Sequence, residues 1–249
     1  MKLFLKGIIG GTLLALTTSV AAFPVTMSDV SGEWIDPQGA GASDASTSDS
    51  LGYSWITWGS DYSKSVYGFN GVDGSVEISN SDAFVLGAFK HHNNPIPEYS
   101  DITSVSLKVS ASFDSSAGNS GPQTGVFEFF HEETPNSKDC LFFFCWYDDD
   151  SKDIVTFDNS ITSSEFQLGS EIYSLELIGF KDRECTSAWF GERCETTVSD
   201  SLETQEKQWN KAKLLAKLNV RTVEVPEPGT LALLGLGLSG FVLARRRKI

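Results

Sequence analysis

The sequence predicts an all-β fold, an antiparallel β-sandwich of jelly-roll type. Three observations lead there. Ser104–Phe113 alternates strictly, with Val105, Leu107, Val109, Ala111 and Phe113 on one side and serines or Lys108 on the other. That period of two marks a half-buried strand. Other short apolar runs are separated by loops rich in Gly, Ser, Asn and Asp, the pattern of a sandwich rather than of βα units. Between the two ends of the chain no convincing long helix remains.

In chain order, Lys2 and Lys6 precede an apolar stretch, Gly7–Val20, and Val20-Ala21-Ala22 offers small residues for cleavage. Residues 1–22 therefore read as a secretory signal peptide. Residues 23–52 read as a flexible segment, because 36–52 is mostly Gly, Ala, Ser and Asp. The β domain spans 53–223. Trp55, Ile56 and Trp58 open it, and Gly74–Ser79 follows. Ala83–Lys90 carries apolar residues on both faces, which suggests burial on both sides. After Ser104–Phe113 and a polar turn region at 115–124 come strands at Val126–His131, Ile154–Phe157 and Ile172–Phe180. Thr204–Val223 has helical propensity, with Asp200 placed to cap and Glu203 three residues on. Yet Ala212, Leu214, Ala216, Leu218 and Val220 fall on alternate positions, Leu215 being the exception. Period outweighs propensity, so 211–223 is the last strand, with at most one helical turn near 202–209.

The formal net charge is −14. The two ends carry Lys2, Lys6, Arg245, Arg246, Arg247 and Lys248 against Glu227, so the middle is more acidic still. Such a surface excludes nucleic acid as a partner and repels acidic polymers. Four cysteines allow three pairings. In an exported chain the local pairs Cys140/Cys145 and Cys185/Cys194 are favoured. Neither has CxxC zinc spacing.

Phe89-Lys90-His91-His92-Asn93-Asn94-Pro95-Ile96 holds two of the three histidines. Neighbouring histidines on a strand point to opposite faces, so they chelate one metal poorly unless the chain turns at Pro95 and Pro97. His131 with Glu132 and Glu133 is a further group that could join them in space. The cation candidate is calcium at Asp148, Asp150 and Asp153, since oxygen ligands suit it. Lys152 interrupts the usual loop spacing, so a solvated acidic turn is the plainer reading. No other cofactor is implied. No GxSxG, Walker loop or HExxH occurs.

Residues 229–244 carry no charge and are rich in Leu and Gly. Sixteen helical residues reach about 24 Å, a short span for a bilayer core of about 30 Å. Arg245, Arg246, Arg247 and Lys248 resist translocation and hold the far end in the cytoplasm. Before the span, Val225-Pro226-Glu227-Pro228 can continue neither helix nor strand, leaving an extended peptide at the membrane face. These three parts, within 224–249, resemble the PEP-CTERM sorting signal. The resemblance implies processing by exosortase, a membrane enzyme that recognises such tails and cleaves near the PEP motif. It implies transient anchoring, then residence at the cell surface or extracellular matrix of a Gram-negative bacterium.

A second resemblance covers residues 50–223. Leu86–Ile96 looks like the signature of the THxN family of PEP-CTERM proteins, with His91, Asn93 and Pro95 as its motif residues. Lys90 stands where the motif has threonine. Phe127–Asn136, Asp153–Phe157, Tyr173–Phe180 and Thr204-x-Glu206-x-x-x-Asn210 look like later blocks. The family brings no catalytic residues. The expected function is a non-enzymatic component of the surface or exopolysaccharide matrix, with Trp55, Trp58, Tyr62, Tyr67 and Phe142–Phe144 available to stack on sugars. The alternatives are a polysaccharide hydrolase, which needs two carboxylates about 5–10 Å apart in a cleft, and a calcium-stabilised adhesive module.

Overall fold

The computed structural model describes residues 22–134, 138–141, 144–147, 152–188 and 191–223, with Gly235, Gly237 and Leu238; for 138–147 and 183–195 it describes the main chain alone. Among the described residues sixteen strands follow one another: β1 Val25–Gln38, β2 Ser46–Ser50, β3 Tyr53–Gly59, β4 Lys64–Gly71, β5 Ser75–Ile78, β6 Phe84–Asn93, β7 Ser104–Ser115 and β8 Gly118–Glu132. Then come β9 Lys138–Leu141, β10 Phe144–Tyr147, β11 Lys152–Phe157, β12 Phe166–Leu168, β13 Glu171–Ala188, β14 Gly191–Ser199, β15 Ser201–Gln205 and β16 Gln208–Thr222. One sheet runs β15-β11-β8-β7-β1-β5, the other β12-β13-β16-β6-β4-β3-β2 with β14 beside β13. Every strand pair in both is antiparallel.

The two sheets face each other across an apolar core. Val105, Leu107, Val109 and Phe113 on β7 and Phe127 and Phe129 on β8 meet Phe69 on β4, Phe89 on β6, Leu175 and Leu177 on β13 and Leu214 on β16, all buried. Phe89 lies parallel to Phe129, ring centres 5.8 Å apart, and so bridges the layers. Trp34 of β1 adds a polar tie, its Nε1 donating to the Ser54 carbonyl of β3 at 3.0 Å. Near the other end of the core, Phe166 stacks on Phe113 at 4.5 Å and on Tyr173 at 5.6 Å.

Three sequence expectations are corrected. Residues 23–52, read as flexible, contain β1, central between β5 and β7, and β2 at an edge. The composition misled because β1 departs from regular pleat: Asp29 and Asp36 have positive φ, and its register against β7 shifts between Ser28 and Ser31 and between Ile35 and Gln38. Such irregularities break the alternation that identifies a strand. Second, 202–209 forms no helical turn; β15 and β16 make a hairpin across Glu206 and Lys207. Third, Ala83–Lys90 is not buried on both sides. The register between β6 and β16 shifts at Leu214/Leu215, so Leu86 points inward before the irregularity and Phe89, His91 and Asn93 after it. The same shift accounts for Leu215, the residue that breaks the pattern of the last strand.

The sorting-motif residues Pro226, Glu227, Pro228, Arg245, Arg246 and Arg247 lie outside the described residues, as does most of the 229–244 span. Among the described residues no helix is long and apolar enough to cross a membrane.

Candidate functional site

Four strands end their inward-facing rows on a polar residue at the same end of the sandwich. On β6 the row runs Phe89, His91, Asn93; on β8 it runs Phe127, Phe129, His131. On β11 it runs Asp153, Val155, Phe157, and on β15 Leu202, Thr204. The hairpin β15–β16 joins them, because β15 is the edge of one sheet and β16 is paired with β6 in the other. Asp153 pairs with Thr204 in register, and Gln208 with Asn93. The family-like blocks around His91, His131, Asp153 and Thr204 therefore meet at one seam.

His91, Asn93, Asp153 and Thr204 are wholly buried and His131 nearly so. Trp58 lies over His91 with ring centres 5.8 Å apart and meets His131 edge-on at 5.4 Å. Tyr67 closes another side. Thr204 Oγ1 donates to the Asp153 carbonyl at 3.2 Å. Its single proton is thereby used, so at 2.9 Å it accepts from His91 Nδ1–H. That fixes the tautomer: His91 Nε2 carries a lone pair, buried and with no hydrogen-bond partner in the fold. Asn93 Nδ2 donates to the Thr204 carbonyl at 3.0 Å, and Asn210 Nδ2 bonds the Gln205 carbonyl at 2.9 Å, tightening the hairpin.

His131 Nδ1 lies 2.6 Å from the Tyr67 hydroxyl, and its Nε2 lies 3.2 Å from Glu133 Oε2 and 3.8 Å from Asp153 Oδ2. Asp153 Oδ1 accepts from the Thr134 amide at 3.0 Å, while Oδ2 is buried without a hydrogen-bond partner. Burial pushes the Asp153 and Glu133 carboxyls up to about 7, and the Glu133 charge pushes Asp153 further the same way. Burial holds both imidazoles below the usual histidine range, His91 well below it with the nearby His131 adding to the effect. Both are neutral at pH 7. One ligand atom each from His91, His131 and Asp153 lies within 4.8 Å of the others, and the same holds for Glu133, Asp153 and Glu206.

β6 presents a second surface to solvent. As strand alternation requires, His92 and Lys90 face away from His91. Tyr53 stacks on Trp55 at 4.7 Å, Trp55 meets Trp209 at 5.7 Å, and Trp209 meets His92 at 4.7 Å. The Trp55 ring lies flat because Gly68 sits beneath it: a Cβ there would come within 2.3 Å of the indole. The Lys90 ammonium sits 4.0 Å over the Tyr53 ring. Beside it is a concavity of about 440 Å³ lined by Tyr53, Lys90, Lys181, Asp182, Lys211 and Lys213. A net acidic composition hid this local cluster of lysines, which cross-strand register alone brings together.

Among the other sequence candidates, Pro95 is half-buried just past β6. Asp153 is an inward strand residue rather than part of a solvated turn. Asp148 and Asp150 lie outside the described residues, and so do Phe142 and Phe143. Of the aromatic residues proposed for sugar stacking, Trp58 and Tyr67 are core residues at 0% exposure and are unavailable. Tyr62 is fully exposed, and Trp55 is on the outer face. No disulfide is present among the described residues. The four cysteine side chains fall outside them, but the main chain sets Cys140 opposite Cys145 and Cys185 opposite Cys194. The sequence had no direct signal for Tyr67, Trp58 or Thr204 as site residues. The retrievable one was a polar residue in the apolar phase of a strand.

Residues 224–248 match the family model of the PEP-CTERM protein-sorting motif. A search of curated proteins finds no match.

Proposed function

We propose, from a chain whose C-terminal residues 224–248 carry the PEP-CTERM protein-sorting motif, that it is a non-enzymatic component of the bacterial surface or exopolysaccharide matrix that holds acidic polysaccharide. Such a motif implies an exported protein, transiently anchored and processed by exosortase. The observation that carries the polysaccharide reading is the outer face of β3, β4, β6 and β16. Flat aromatic rings offer apolar faces to sugar rings, and four lysines beside them offer cations to carboxylate groups. Geometry favours binding over hydrolysis. Carboxylate oxygens of Glu133 and Asp153 lie within 4.8 Å of each other at the closed seam, Asp153 wholly buried and Glu133 partly so, whereas a hydrolase needs separated carboxylates in an open cleft. The concavity on the lysine face has one carboxylate in its lining, Asp182.

Binding of the purified chain to polygalacturonate or alginate, with dextran as the neutral control, tests this. The expected result is binding to the acidic polymers that weakens as salt rises. Trp55→Ala and Lys211→Ala should each weaken it, Trp55→Ala by about tenfold, equivalent to about 1.4 kcal/mol. Equal behaviour of acidic and neutral polymers, or an unaffected Trp55→Ala variant, overturns the reading.

Two cross-strand disulfides, Cys140–Cys145 and Cys185–Cys194, belong to the same proposal. Directly opposed residues of an antiparallel pair have Cα atoms about 4.5–5.5 Å apart, within the range a disulfide spans. An exported chain meets an oxidising compartment, and the closed loops are short, so each bond contributes toward the low end of the usual stabilisation. Alkylation of the unfolded but unreduced protein should label no cysteine, and labelling after reduction should reach all four. Labelling before reduction would refute the pairing.

A further inference from the structure

We propose that His91, His131, Asp153 and Glu133 form a closed binding site for one divalent transition-metal ion of the zinc class, tying the two sheets together at the β15–β16 seam. Two buried atoms identify it independently of composition. His91 Nε2 carries a lone pair and no hydrogen-bond partner, and Asp153 Oδ2 is likewise buried without one. A buried lone pair beside a buried carboxylate oxygen costs free energy unless something positive lies between them. The ligand atoms of His91, His131 and Asp153 already lie within 4.8 Å of one another. Metal bonds of about 2.0–2.2 Å require only modest inward movement.

The chemistry selects the ion. Two neutral imidazoles with carboxylates suit zinc and its neighbours, whereas calcium prefers a shell of six to eight oxygens. Asp153 and Glu133 together supply two negative charges, which neutralise a dication in a buried setting. The surrounding bonds have the form of metal-site support: Thr204 Oγ1 orients His91 through Nδ1, the Thr134 amide holds Asp153 Oδ1, and the Tyr67 oxygen stands 2.6 Å from His131 Nδ1. Binding at His131 Nε2 moves its proton to Nδ1, where Tyr67 accepts it. The ligands come from β6, β8, β11 and the residue just after β8, so the ion cross-links both sheets. With every ligand supplied by the protein, His91, His131 and Asp153 buried and Glu133 partly so, the site has the closed character of a structural rather than a catalytic metal, and the ion is captured as the chain folds.

Elemental analysis of the mature chain, purified from the producing cell without added metal or chelator, tests the proposal. About one equivalent of a divalent transition metal should be retained through dialysis. Unfolding with EDTA and refolding without metal should lower Tm by about 10 °C, and one equivalent of zinc should restore it. Cobalt in place of zinc should give visible d–d absorption bands. Asp153→Asn and His91→Ala should each abolish stoichiometric binding, while His92→Ala, on the opposite face of β6, should retain it. Should the His91 and Asp153 variants fail to fold, the metal content and cobalt spectrum of the unaltered chain still decide the matter. A metal-free native protein that takes up neither zinc nor cobalt and shows no zinc-dependent Tm change overturns the proposal.

Discussion

Phe89→Ala is expected to destabilise the sandwich by about 3–5 kcal/mol, the range for truncating a large buried aromatic. Phe89 is fully buried. It stacks on Phe129 across the layers and touches Tyr67, Phe180 and Trp34, with ring centres 5.1, 5.3 and 6.3 Å away. These partners sit on four strands drawn from both sheets, so no single side chain can relax into the void, and the cavity persists. Domains of this kind have stabilities of about 5–15 kcal/mol, and a loss of that size leaves a marginal fold. Urea denaturation checks it through the midpoint at unchanged slope. A loss below about 1 kcal/mol would mean that the rings repack freely and that the described core is wrong.

Replacing Pro226, Glu227 and Pro228 together by alanine should abolish maturation. Proline cannot continue a helix, whereas three alanines favour one. The substitution thus removes both the prolines and the carboxylate of the motif that an exosortase reads. In the producing cell the altered chain should accumulate in the membrane fraction at full length, whereas the unaltered chain loses its C-terminal residues. Intact-mass measurement of both fractions distinguishes the outcomes, and normal shortening of the triple variant would disprove the assignment of the motif.

Strands whose alternation is unbroken could be read directly. Ser104–Phe113 lies within β7, and the last strand survived a competing helical propensity because burial on one face outweighs propensity. β1 could not be read, since its positive-φ aspartates and register shifts scramble its pattern. The buried centre could not be read either. Its members are spread from His91 to Thr204, and only the pairing of β11 with β15 and of β16 with β6 brings them together. What the chain does carry locally is a repeated irregularity: His131 follows Phe127 and Phe129, His91 follows Phe89, and Thr204 follows Leu202, each a polar group in an apolar row. One such residue is unremarkable. Several near the ends of different strands signal a shared destination.

The strands at the outer limits of the two sheets are β2, β5, β12 and β15, each three to five residues long, and the longer β14, whose sequence Gly-Glu-Arg-Cys-Glu-Thr-Thr-Val-Ser is mostly polar. β2 is Ser-Thr-Ser-Asp-Ser, exposed throughout. An open margin with free main-chain donors and acceptors invites a second molecule to add on, and long apolar margins seed fibrils. Margins that are short or hydrophilic deny that template, so copies crowded together outside the cell can remain separate molecules.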